Sequence, residues 1–544
     1  MTFSIELRPP VRPSAVPSVE TVDVDPSADA DATFPQSVAS GGPTPTGVVL
    51  WTRVAPDAHD AGTPLALTVA DDPAFESIVE RVEIPAVEVD ARHDHTVRVD
   101  LDGSLDPDSR YYYQFVYDGV ASRVGRCRTL PVPDASPERV RFAVVSCQHY
   151  QNGYFGAFHH VAAADVDFVL HLGDYIYEAG DDHFRAPGAP LYPGRDLSLP
   201  SGHGLAWTLP DFRELYRTYH ADRFLQAAHE RHTFVRTWDD HTVANNRYWD
   251  YEADAPAAPD HPRGDDHAFV RRLTADGIQA WWEFTPSRVE YDPDAAHLHD
   301  AFRLYRELQF GDLVTLLLTD ERLYRCSPPC SDGSTTGLSP GCPERRDSDR
   351  TMLGDAQLEW FLDAVGSADS RWTAWANEVL SMPFRVGVGP ASLTPNLDAW
   401  DGYPVERERV FEALGAAENA VTLTGDMHTA LAGRQHAEDG TPVGVEFMTP
   451  AVTSVNLAEA ASVDRGLLRR LTRPLLSGAV RAMNPHLSFF DSHDWGYSVA
   501  TFTREDCTFT TYAVDKTVDA DDADRRRLAR FRVPAGSTEL HRKF

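Results

Sequence analysis

Four short stretches place metal-ligating residue types directly after apolar runs. RFAVVSC ends in Cys147, VDFVLHLGDYIY carries Asp174 and Tyr177, HTFVRTWDDH ends in Asp239, Asp240 and His241, and NAVTLTGDMH ends in Asp426 and His428. The carboxylate of Asp174 offers two oxygens and can bridge two cations. Three residues on, the Tyr177 phenolate is a hard anionic oxygen suited to ferric iron, and a Cys147 thiolate is a strong donor. Asp426 and His428 stand at i and i+2 after a strand, so both can address one cleft. In WDDH, Asp240 reads as a ligand and His241 as a general acid or phosphate clamp. Any one of these endings, taken alone, is more often a turn, a helix cap, an inert buried cysteine or a satisfied core histidine. Four in series within one domain point to a polynuclear metal site.

The elements that must carry these residues follow from the same runs. RFAVVSC, VDFVLHLGD, HTFVRTWDD, GDLVTLLLTD, RWTAWANEVL and NAVTLTGD read as buried strands, with helices such as GAFHHVAAADV, DAQLEWFLDAV and PVERERVFEAL between them. That alternation predicts α/β layers in which sites form beyond the carboxyl ends of strands. Before it, residues 34–133 carry short alternating stretches divided by turns, which predicts a small fibronectin- or immunoglobulin-like β-sandwich. Residues 1–33 read as a disordered arm, 139–516 as the catalytic domain and 517–544 as a charged tail in which RRRLARFR forms a helical turn or two. Ala179 to Thr208 is Gly-, Pro- and His-rich and reads as a long ordered loop.

The chain resembles the alkaline phosphatase D (PhoD-like) family of calcineurin-like metallophosphoesterases from Phe34 to about Val514. The resemblance rests on an ordered set of blocks: FPQSVASGGPTPTGVVLWTRV, SCQHYQNGYFGAFHHVAAADVDFVLHLGDYIYE, RTWDDHTVANN, LLLTDERLYR, CPERRDSDRTMLGDAQLEWF, NLDAWDGYPVERERV, LTGDMHTALAG and NPHLSFFDSHDWGY. It implies a four-layer αββα sandwich behind the N-terminal β-sandwich, and a centre of one Fe3+ with Ca2+; Zn2+ or Mn2+ are the alternatives. By motif, Cys147, Asp174, Tyr177 and His428 would hold the iron, Asp174 would bridge, and Asp240 and Asp426 would complete the second site. Asn377 occupies a position where the superfamily often places a further ligand, and His241 would touch the phosphate or protonate the leaving oxygen. The implied activity is hydrolysis of phosphate mono- or diesters by a metal-bound hydroxide. A phospholipase D-type attack on lipid head groups and a non-catalytic binding protein with a residual metal site are the rival readings. The family usually has Glu after WDDH, and here it is Thr242.

Composition narrows the partners. Among 544 residues, 50 Lys+Arg stand against 83 Asp+Glu, a formal charge of −33 that repels nucleic-acid phosphates and leaves a small phosphate ester as the expected partner of a monomer. Lys516 and Lys543 are the two lysines; acidic, lysine-poor composition suggests a halophilic protein. No run of 18 apolar residues predicts a transmembrane segment, and the first 40 residues show neither an apolar export core nor a twin-Arg pair, which leaves the compartment open between cytoplasmic and extracellular. Cys326, Cys330 and Cys342 share one loop and suit a disulfide, free thiols or an incomplete zinc site.

Overall fold

The runs RVRFAVV, FVLHL and TFVRT form adjacent parallel strands, Arg139–Val145, Phe168–Leu172 and Thr233–Thr237. The computed structural model describes residues 5–13, 24–25, 27–186, 188–330, 342–387 and 392–543. These strands are apolar throughout because both of their faces are covered. One face packs on Phe155, Phe158, Leu215, Phe224, Trp281 and their neighbours from the helices Gly156–Ala162, Leu209–His220, Arg223–Arg231 and His267–Phe284. The other face, through Phe142, Val144 and Leu170, meets Leu316, Ala374 and Val421 of a second sheet.

That second sheet has seven strands, in the order Arg306–Phe310, Val314–Leu318, Trp372–Ala376, Ala420–Thr424, Pro442–Met448, Ala430–His436 and Leu487–Asp491. Its far face is covered by Leu358, Phe361, Val410, Phe411 and Val480, from the helices Gly354–Ser367, Pro404–Ala416 and Gly466–Met483. The first sheet has ten strands. From its central three it runs one way through Gly496–Thr503, Asp506–Val514, Arg525–Pro534 and His541–Arg542, and the other way through Val38–Thr44, Gly47–Arg53 and Thr96–Asp100.

The expected four-layer αββα sandwich behind a separate small β-sandwich is thereby corrected. The molecule has a mixed α/β fold on large ten- and seven-stranded sheets, and N-terminal strands are part of the larger one. The reason lies in strand pairing. Val38–Thr44 uses its second edge to pair in parallel with Thr233–Thr237, with Ser40 opposite Thr233, instead of closing a small domain. A five-stranded sheet built around Leu65–Ala70 and Arg110–Tyr117 then packs Leu67, Tyr113 and Phe115 against Val38, Leu50 and Val97 of the large sheet.

Two further segments differ from expectation. RRRLARFR lies within the strand Arg525–Pro534, with Ala529, Phe531 and Val533 buried at alternate positions. In the N-terminal arm, Ile5 is buried and Val11 bridges Val99. Cys330 and Cys342 form a disulfide and Cys326 is a free thiol. Among the described residues, no helix is long and apolar enough to cross a membrane.

Candidate metal centre

Cys147, Asp174, Asp426 and His428 all follow parallel strands, and all four adopt left-handed backbone angles, with φ of 57°, 52°, 61° and 51°. Such angles are costly for residues with a Cβ, by about 1–3 kcal/mol each, and persist where the surroundings enforce them. Glycines permit the turns that bring these residues together. Gly173 has φ +97°, and a Cβ there would lie 2.5 Å from Asp239 Cβ and 2.6 Å from the Trp238 carbonyl oxygen. At Gly425 a Cβ would lie 2.8 Å from Ser146 Oγ, so this glycine lets the two sheets approach at their strand ends.

Cys147, Asp174 and His428 offer ligand atoms that all lie within 4.8 Å of one another. Tyr177 Oη stands 2.9 Å from Asp174 Oδ2 and 3.0 Å from His428 Nε2. His428 donates from Nδ1 to the Val455 carbonyl at 2.5 Å, which leaves the Nε2 lone pair facing the tyrosine. The single hydroxyl proton of Tyr177 therefore faces two acceptors. Asp174 Oδ1 is buried with no hydrogen-bond partner. Burial, with Asp174 nearby, pushes both the Cys147 thiol and the Tyr177 phenol well above their ordinary pKa. A bound cation would reverse that balance, and the donor set (thiol, phenol, imidazole, carboxylate) fits one.

Beside it, Asp239, Asp240 and Asp426 form a second cluster, and Asp174, Asp240 and His241 a third. The fully buried Arg322 guanidinium ties the carboxylates together. It donates to Asp426 Oδ1 at 2.8 Å and Asp398 Oδ2 at 2.6 Å, pairs with Asp239, and lies 3.7 Å from Asp240 Oδ2. Asp398 also pairs with Arg325 at 2.6 Å, so Asp239, Asp240 and Asp426 are left to Arg322, a surplus of negative charge that protons or cations must offset. Burial accordingly raises Asp426 to about 6 against the pull of Arg322, and raises Asp239 well above its ordinary value. Burial acts the same way on Asp240, but Arg322 and His241 outweigh it and hold this carboxyl below its usual range.

His241 is held at the crevice wall. Its ring packs 4.0 Å from that of Tyr177 and meets Phe184 edge-on at 4.5 Å, between centroids. Nδ1 lies 2.6 Å from Glu178 Oε2, and Glu178 Oε1 accepts from the Asn245 amide at 2.6 Å. Burial alone would lower the imidazole, but Glu178, Asp174 and Asp240 raise it to about 10. Sequence reasoning missed Glu178 and Arg322 as parts of the site, although both lie inside stretches it singled out, GDYIYE and TDER. Asn377 is buried after the strand Trp372–Ala376, and its carboxamide is already engaged: Oδ1 accepts from Trp400 Nε1 at 3.1 Å and Nδ2 donates to the Val379 carbonyl.

A crevice at the carboxyl ends of the parallel strands of two mixed sheets, combining this donor set with an oriented His–Glu pair, is that of a metal-dependent phosphoesterase. Comparison with known proteins agrees. The sequence profile of the PhoD-like phosphatases matches residues 142–511, and that of the PhoD-like phosphatase N-terminal domain matches residues 20–131. The chain belongs to the PhoD-like phosphatase family. It is 33% identical over 482 residues to alkaline phosphatase D of Bacillus subtilis (strain 168), covering 86% of this chain and 76% of that protein. A solved structure described as "Structure of PhoD" superposes with a TM-score of 0.80 at 29% identity, over 96% of this chain and 94% of the other. The chain is a hydrolase, a metal-dependent phosphoesterase of the alkaline phosphatase D type.

Proposed function

We propose that the centre holds one ferric ion and calcium and that the enzyme cleaves small phosphate mono- and diesters. Cys147, Asp174, Tyr177 and His428 would hold the iron; Asp174 would also reach the second site with Asp240 and Asp426. Asn377 would have to leave Trp400 and Val379 to join them. The observation that carries the reading is the Tyr177 hydroxyl, set between Asp174 Oδ2 at 2.9 Å and His428 Nε2 at 3.0 Å while Asp174 Oδ1 has no partner. When bound, such cations supply positive charge that orients a phosphate ester and offsets charge on its equatorial oxygens. The remaining work falls to side chains of this chain. Glu178 fixes His241 through Nδ1, which leaves Nε2 to hydrogen-bond a phosphate oxygen or pass a proton to the leaving oxygen. Phe184 packs edge-on against the ring of His241 and helps fix its orientation.

Hydrolysis of p-nitrophenyl phosphate and bis-p-nitrophenyl phosphate, with and without added calcium, tests the proposal together with metal analysis. The expected result is calcium-dependent turnover of both esters by protein that contains iron and shows a visible charge-transfer band. Cys147→Ala should lose the band, the iron and activity by at least about a hundredfold, with unchanged circular dichroism. A colourless, fully active wild type would contradict the ferric assignment, and wild-type turnover by the variant would remove Cys147 from the ligand set.

A further inference from the structure

The helix Gly466–Met483, GLLRRLTRPLLSGAVRAM, carries apolar residues on two sides. Its inner face packs Leu476, Val480 and Met483 on the seven-stranded sheet and adds polar anchors beside them. Arg469 pairs with Asp494, Arg473 reaches Asp491 Oδ2 at 2.6 Å and Asp494 Oδ2 at 2.7 Å, and Ser477 donates to the Phe490 carbonyl at 2.8 Å. Leucines occupy the outer face: Leu467, Leu468, Leu471 and Leu475 are 70%, 54%, 55% and 71% exposed. Of the six exposed leucines among the described residues, these are four, and Leu457 on the short helix Leu457–Ala460 just before is a fifth. Scattered exposed leucines need no explanation, but a stripe along one helix does.

Charge singles out what covers that stripe. The chain as a whole carries −33, yet Gly466–Met483 contains no acidic residue, and Arg470 and Arg481 stand exposed among the leucines. Leucines flanked by long cationic side chains suit the boundary between lipid tails and anionic head groups, where arginines extend their charge to the phosphates. A second copy of the chain fits poorly, because a two-fold pairing of this helix would bring its exposed arginines together. Screening over about 8–10 Å lets the local charge of the helix act apart from the acidic remainder.

We propose that the outer face of Gly466–Met483 docks onto a bilayer that carries anionic phospholipid. The exposed Leu457, on the short helix that precedes Gly466–Met483, lies two residues after Val455, whose carbonyl accepts from His428 Nδ1. The inference stands on the helix and does not depend on the identity of the metals.

Vesicle flotation of the intact protein tests it, with vesicles of phosphatidylcholine alone and of equal parts phosphatidylcholine and phosphatidylglycerol. The wild type should float with the anionic vesicles at least about tenfold more than with the neutral ones. The triple variant Leu467→Gln, Leu471→Gln, Leu475→Gln should lose that binding at least about tenfold, while its turnover of soluble p-nitrophenyl phosphate and its circular dichroism stay unchanged. Arg470→Glu with Arg481→Glu should also reduce flotation with the leucines in place. Absence of wild-type flotation, equal flotation with both vesicles, or undiminished flotation of the triple variant overturns the proposal. Wild-type self-association in light scattering, abolished in the triple variant, would assign the face to a second copy and overturn it as well.

Discussion

Glu178 follows Tyr177 directly, and its two oxygens bind His241 Nδ1 and the Asn245 amide, each at 2.6 Å. Thr242 brings no carboxylate to the histidine, and Glu178 supplies one from the loop after the neighbouring parallel strand. Glu178→Gln keeps the shape and removes the charge, so kcat should fall about 10- to 100-fold with a smaller change in KM and unchanged iron content. Steady-state kinetics at saturating calcium read this, and an unaltered kcat would count against the His–Glu pair. Away from the crevice, Lys516 lies buried 2.8 Å from Glu459 and 3.9 Å from the Trp495 ring centre. Burial, opposed by Glu459, lowers it from 10.5 to about 8. Between those values the unfolded chain holds a proton that the folded chain has released. The cost of burying the charge is therefore complete below about pH 8 and is relieved as pH rises toward 10.5. Relative to Lys516→Met, the wild type should gain on the order of 3 kcal/mol across that window in denaturant unfolding. A flat difference would mean that Lys516 titrates normally. The ligand types at strand ends were legible in the sequence because chemistry and position coincide there. Arg322 was not, since an arginine after an apolar strand reads as surface charge until the packing of the two sheets brings Asp239, Asp398 and Asp426 around it.

At the scale of elements, the strand ends carry strain that glycines make tolerable. Gly173→Ala would force a Cβ to within 2.6 Å of the Trp238 carbonyl oxygen and 2.5 Å of Asp239 Cβ, at φ +97°. The turn must then move, and Asp174 and Asp239 with it. We expect a loss of about 2–3 kcal/mol of stability and a parallel weakening of metal binding, read by thermal unfolding and by iron content after dialysis. An unchanged midpoint would show that the turn can absorb the methyl group. Central strands were readable as continuous apolar runs because both faces are covered. The strand Arg525–Pro534 was misread because its three leading arginines masked the alternation of Ala529, Phe531 and Val533, the only part of the period that reaches the core.

At the scale of the whole molecule, the N-terminal strands read as a closed small β-sandwich because each is short, alternating and bounded by turns. Nothing in that local pattern could reveal that Val38–Thr44 pairs with Thr233–Thr237, almost two hundred residues away by sequence position. The junction is also sealed by side chains. Trp51 Nε1 donates to the Glu283 carbonyl at 2.7 Å, and Arg98 donates to the carbonyls of Trp282 and Ser287 at 2.6 and 2.5 Å. Burial holds Arg98 down near 9, although Asp100 raises it, as befits a guanidinium enclosed between two parts of one core. Deleting residues 1–133 would uncover the edge of Thr233–Thr237, the carbonyls of the helix His267–Phe284 and the apolar face beneath Trp51. Exposed edges of apolar strands pair with other chains. The truncated protein should therefore aggregate rather than fold as a free catalytic unit, and should recover no phosphatase activity on refolding. A soluble, active product from residues 134–544, measured by size-exclusion chromatography and p-nitrophenyl phosphate turnover, would show that the ten-stranded sheet divides into two independent parts at Val38–Thr44.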